Sequence, residues 1–133
     1  MKEITQPVVK NGVLIDSLFH GLFTDPPFEC DEHTDIVDLL LQGGMTAIST
    51  TITDDNYPAS FVECCHEIHK YYLLQDTCPD RVIIATSAKD IDRAKREGKL
   101  AVIMSTQGAM VFERDLRNIS LLNKLGLKIV QLT

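Results

Sequence analysis

Five short apolar segments rich in β-branched residues alternate along this chain with helix-like segments, and most junctions carry their own start or stop signal. Strand–helix alternation with short capped connections is the pattern of βαβ units in a parallel sheet. Within Val8–Ile15 two β-branched runs flank Asn11-Gly12, a pair that accepts positive φ. That stretch reads as a short N-terminal β-hairpin, leading into a first core strand over residues 13–19. Thr24 to His33 forms a proline-bearing acidic loop. Thr34 then caps a helix from Asp35 to Gln42, with Ile36, Leu39 and Leu40 on one face and Gly43-Gly44 ending it.

The rest of the chain repeats this grammar. Met45–Ile52 is a second strand, and Ser60 with Glu63 has the capping-box spacing that opens a long helix stopping before Pro79. Arg81–Thr86 is a third strand, and Ser87 with Asp90 caps a helix that ends near Gly98. Leu100–Thr106 is a fourth strand. A helix through Leu116, Ile119, Leu122 and Leu125 ends at Gly126, before a final strand over Leu127–Thr133. An open doubly wound sheet and part of an eight-fold barrel both fit the alternation. A complete (β/α)8 barrel typically takes ~250 residues, so 133 residues hold about half of one. The expectation is one partial domain over 1–133, half of a TIM-type barrel, with any site built from strand ends incomplete.

Composition removes several function classes. Thirteen Lys and Arg against nineteen Asp and Glu give a net charge of −6, which argues against nucleic acid, whose phosphates demand clustered cations. Lys89, Arg93, Lys95, Arg96 and Lys99 fit the solvated face of one helix. No apolar run approaches the roughly 20 residues of a membrane span. Met1–Pro7 lacks the apolar region of a secretory signal, so a cytoplasmic location is expected. The four cysteines, Cys30, Cys64, Cys65 and Cys78, show no Cys-x-x-Cys spacing and are expected to be reduced.

Local sequence favours the barrel. Leu100-Ala-Val-Ile-Met-Ser-Thr-Gln-Gly-Ala-Met110, followed by Leu121-Leu-Asn-Lys-Leu-Gly-Leu-Lys-Ile-Val-Gln-Leu-Thr133, resembles the membrane (renal) dipeptidase family of zinc metallopeptidases. Val13–Asp16, Leu41–Ala47 and Ser87–Ala101 are similar to the family as well. The resemblance spans roughly residues 12–133, the N-terminal part of a family barrel, and is closest to a divergent dipeptidase-like branch. It implies a (β/α)8 fold, zinc at the C-terminal ends of the strands and hydrolysis of dipeptides.

The ligand positions depart from the family pattern. The family reads Ile-Asp-Gly-His-x-Asp on the first strand, where this chain reads Ile15-Asp16-Ser17-Leu18-Phe19-His20. Leu18 therefore stands at the histidine position and His20 at the aspartate position, while Gln107 stands at the bridging glutamate. Leu18 has no donor atom. A neutral amide carbonyl at Gln107 ligates weakly and cannot offset two neighbouring dications as a carboxylate does. The resemblance leaves His20 as a metal ligand or rim hydrogen-bonder. Gln107 and Asp16 are candidates for substrate or barrel-mouth contact, with Asp16 better read as structural.

Other groupings read as bland. His66 and His69 share a helix face beside Cys65, at a spacing able to hold a metal, without a second ligand pair. Asp54-Asp55-Asn56 follows a strand end and reads as a polar loop. Dinucleotide, Walker, nucleophile-elbow and His-Glu-x-x-His motifs are absent. The expected function is therefore that of a dipeptidase-like metal-dependent hydrolase with degraded ligand positions, inactive as an isolated chain. Its substrate would be a small peptide bound by the complete parent barrel. The alternative is a non-catalytic half-barrel that pairs with itself or with a partner to cover its sheet edges. A gene fragment without a function of its own is a third reading.

Overall fold

The structure, a computed structural model, describes residues 12–20, 30–54 and 60–132, apart from the side chains of 30–35 and 54. The predicted hairpin over Val8–Ile15 falls mostly outside the described residues. The elements are β1 (Ile15–Phe19), α1 (Cys30–Gln42), β2 (Ala47–Asp54), α2 (Phe61–Thr77), β3 (Val82–Ile84), α3 (Ala88–Glu97), β4 (Leu100–Gln107), α4 (Arg117–Lys124) and β5 (Leu127–Gln131). A single 3-10 turn, Met110–Phe112, lies between β4 and α4. All five strands run parallel in one sheet, as the alternation requires.

β4 organises the sheet. β2 pairs with it from Ala47↔Ala101 to Asp54↔Gln107 and so fills one edge. The other edge is shared: β3 takes Leu100–Val102 and β5 takes Met104–Gln107. β1 lies outside β2. The continuous band at the C-terminal end is thus β1-β2-β4-β5. β3, read from sequence as a six-residue core strand, is a three-residue side strand.

Period-two alternation sorts each strand between two layers. On one face Ile48, Ile52, Leu100, Val102 and Met104 pack against Val37 of α1, Cys64, Ile68, Tyr71 and Leu74 of α2, and Leu122 of α4. Thr50 also points this way, its hydroxyl 2.8 Å from the Tyr71 phenol. Burial pushes that phenol up to about 12. On the opposite face Ala47, Ile83, Ala85 and Ala101 meet Ile91 and Ala94 of α3. Small side chains let α3 come close there.

The helix ends follow the capping logic, with differences. The Ser60 hydroxyl accepts from the Glu63 amide at 3.0 Å. Asp90 Oδ2 accepts from the amides and hydroxyls of both Thr86 and Ser87 at 2.9–3.2 Å. α1 starts at Cys30 rather than after Thr34. Met45 and Thr46 do not enter β2, because their amides bond to Leu40 and Leu14 in the turn. The apolar stripe of α4 is mostly uncovered: Leu122 is buried, whereas Leu116 is 80% exposed and Ile119 and Leu125 are also exposed. Cys78 is disulfide-bonded, against the expectation of four reduced thiols. Sequence spacing does not report which cysteines meet in space.

Two consequences follow for stability. Gly126 has φ +111°, and a Cβ there would lie 2.6 Å from Met104 Cε and 2.8 Å from the Tyr72 hydroxyl. Gly126→Ala is expected to destabilise the fold by about 2 kcal/mol, from positive-φ strain plus displacement of two side chains, as read from urea unfolding. At Asp90, burial opposes the charge, but the bonds from Ser87 and Thr86 outweigh it and hold the carboxyl below its usual value. A depressed folded-state pKa contributes stability above the unfolded value, and this is lost as pH falls through the folded one. Asp90→Ala is therefore expected to lower Tm at pH 7, with the gap from the parent closing below about pH 4.

Candidate functional site

The C-terminal ends of β1, β2, β4 and β5 form one rim, on the side where parallel strands present their ligand-binding groups. Register brings Asp54, Gln107 and Gln131 level with one another there. The Gln107 side chain reaches past β2 to the residue following β1. Its Nε2 lies 3.2 Å from His20 Nε2. An amide nitrogen only donates, so this contact uses the lone pair of an unprotonated His20 Nε2.

Below the rim the same face carries hydroxyls. Ser49 and Thr51 alternate along β2 towards it, with Ser105 level with Thr51 on β4. Ser105 donates to the Thr50 carbonyl at 2.8 Å. The Ser49 and Thr51 hydroxyl oxygens are buried without a hydrogen-bond partner among the described residues, and Ser49 as a whole is 2% exposed. Deeper still come Ala47 and Ala101, against α3. This face therefore grades from apolar at the α3 end, through hydroxyl, to amide and imidazole at the rim. The hydroxyls escaped the sequence reading, although period-two alternation against Ile48, Thr50 and Ile52 was the available signal.

The other candidates separate cleanly. Asp16 is not part of this rim: its Oδ1 accepts from the Leu18 amide at 3.0 Å, fixing a local turn. Leu18 is 53% exposed. β1 carries an irregularity between Asp16 and Phe19, which lets Phe19 join the helix-side core while His20 reaches the rim. His66 and His69 are exposed on α2. Asp54 stands level with Gln107 by backbone register, while Asp55 and Asn56 lie outside the described residues.

Among the described residues no three His, Cys, Asp or Glu side chains converge. Leu18 offers no lone pair, and the lone pair of His20 Nε2 is already engaged by Gln107. A dication is stabilised by anionic or strongly donating ligands, and these residues do not supply them. They do not fit zinc.

A family model described as membrane dipeptidase matches residues 11–133. The chain belongs to the membrane dipeptidase family. Among curated proteins, none matches it. Solved structures agree on the fold. An amidohydrolase from Pseudomonas aeruginosa superposes with a TM-score of 0.74 at 24% identity, over 90% of this chain and 33% of that one. The probable dipeptidase PvdM from the same organism gives 0.59 at 18% identity, over 91% and 34%. The chain thus spans about a third of the length of the structures it matches, and its parallel sheet is a partial barrel of that kind.

The exposed Gln107–His20 contact contributes little to stability on its own, because water competes for both partners. Gln107→Ala is expected to change unfolding free energy by less than about 1 kcal/mol. A loss of several times that in chemical denaturation would make Gln107 a structural residue rather than a site residue.

Proposed function

We propose that this chain is the N-terminal part of a dipeptidase-like hydrolase whose metal-ligand positions in this half are degraded, and that it has no peptidase activity alone. The observation that carries the reading is the Gln107–His20 hydrogen bond, at two positions that align with a bridging glutamate and an aspartate in the family. Family membership supports a peptide-like substrate. Where bound in such enzymes, zinc supplies a water of lowered pKa as nucleophile. The described residues of this half do not fit it.

What this half offers instead is neutral recognition. The Gln107 amide, the His20 imidazole and the Gln131 amide can each donate or accept one hydrogen bond, which suits an uncharged amide such as a peptide bond. None can replace the charge-stabilising role of a carboxylate between two dications. Leu18, half in solvent, offers an apolar side chain in place of a ligand.

A second reading, a non-catalytic half-barrel that assembles through its edges, is favoured by exposed apolar residues at both ends of the band. Val13 precedes β1, Ile15 and Leu18 lie in it, and Ile129 and Leu132 lie in and after β5.

Metal content, hydrolysis and molar mass test both readings on one preparation. The purified chain, equilibrated with zinc and desalted, is expected to retain far less than one equivalent and to leave dipeptides uncleaved. The Leu18→His, His20→Asp, Gln107→Glu triple variant is expected to gain zinc, read by elemental analysis. Stoichiometric zinc with dipeptide cleavage by the parent chain would sink the first reading. A strictly monomeric parent would sink the second.

A further inference from the structure

The edge of β4 that β3 and β5 share has a notch where one hands over to the other. β3 ends its pairing at Ile84↔Val102, and β5 takes up the edge only at Leu127↔Met104. Ile103 falls between the two. The Ala85 amide bonds to the Val102 carbonyl at 2.8 Å, after which the chain turns away through Thr86 and Ser87 into α3. The early departure of β3 and the late arrival of β5 leave a cavity of about 190 Å³. Its apolar wall is Ala85, Ala88 and Ile91 on one side and Ile103 of β4 on the other, with Lys128 lining it from β5. Thr86, Ser87 and Ala88 are exposed, so the cavity opens to solvent.

Lys128 is the unusual member. Strands of a parallel sheet covered on both faces read as near-continuous apolar runs, as Leu127, Ile129 and Val130 do. The lysine interrupts that run and is partly buried. Its ammonium donates to the backbone carbonyl and the side-chain oxygen of Asn123, both at 2.8 Å. Those acceptors are neutral, and among the described residues no carboxylate pairs with it. An ammonium carries three donors, so one remains for a ligand, together with a charge that nothing nearby offsets.

We propose that this cavity binds a small monocarboxylate, with its carboxylate on Lys128 and its hydrocarbon body against Ile91 and Ile103. The space equals that of roughly six waters at ~30 Å³ each, enough for an acid of about five carbons. A phosphate suits it poorly. The amides and hydroxyls of Thr86 and Ser87 at the start of α3 all donate to Asp90 Oδ2, so the helix start has no donors to spare. The Asp90 charge also disfavours a polyanion, and a mostly apolar wall leaves the extra oxygens of a phosphate unsatisfied.

This site is separate from the rim. Ile103, Ser105 and Gln107 alternate along one face of β4, which places the cavity about 13 Å below Gln107 at ~3.3 Å per residue. Its occupancy therefore does not depend on the hydrolase reading.

The test is titration of the isotope-labelled full chain, followed by amide NMR. Isovalerate is expected to shift the amides of Ile91, Ile103 and Lys128 saturably, with a dissociation constant on the order of millimolar. Isovaleramide has the same shape without the charge and is expected to bind roughly fivefold more weakly. Inorganic phosphate is expected to leave these amides in place. Lys128→Met is expected to bind the acid and the amide equally. Ala88→Phe, which fills the cavity from an exposed helix position, is expected to bind neither. Equal binding of acid and amide by the parent chain would overturn the proposal, as would a preference for the acid that persists in Lys128→Met. Shifts that never saturate, that fall around Gln107 instead, or that phosphate reproduces would overturn it too.

Discussion

Both edges of β4 are occupied, and much of the molecule depends on that double pairing. β2 runs along one edge for the full length of the strand, while β3 and β5 divide the other between them. Leu100, Ala101, Val102 and Met104 are completely buried, because a parallel strand in the middle of a sheet has a layer on each face. α2 lies on one face and α3 on the other. The handover from β3 to β5 halfway along the edge coincides with an irregularity in the β4–β5 register between Met104 and Ser105. Beyond it, Gln107 stands level with Asp54 and Gln131, so the rim inherits its geometry from β4.

The chemistry of the rim turns on charge. A pair of dications needs anionic ligands between and around them, and a bridging carboxylate supplies both geometry and charge. An amide in that place brings the geometry alone. Once the charge is gone, the amide and a neighbouring imidazole satisfy each other, which is the arrangement of Gln107 and His20. The buried hydroxyls of Ser49 and Thr51 continue the neutral, hydrogen-bonding character below.

Much of this was legible in the sequence wherever the controlling physics is local. Ser60, Ser87, Gly98 and Gly126 mark helix ends through caps and left-handed backbone, and the structure uses them as such. The start of α1 was misplaced because Thr34, a good cap by type, lies within a helix that already begins at Cys30. The outward stripe on α4 has the right period, yet periodicity does not say which layer will cover it. The His20–Gln107 contact joins positions 87 residues apart. Each residue was singled out through resemblance, but their contact depends on how far β1 curls towards β4. The Cys78 disulfide and the side-strand role of β3 are likewise set by tertiary proximity, which spacing along the chain does not encode.

The rim is therefore only as well defined as its least supported member, and that member is β1. Gln107 is held by β4, which is paired on both sides, whereas His20 follows a five-residue strand paired, among the described residues, on one side only. The side chains of β1 that face away from the helix layer, Ile15 among them, are partly in solvent. An unpaired strand edge exposes backbone donors and acceptors that favour another strand. Any strand docked there would restrict β1, and with it the position of His20 relative to Gln107. Edge pairing and rim geometry are thus coupled through one short strand, so the occupancy of that edge governs how sharply His20 is placed against Gln107.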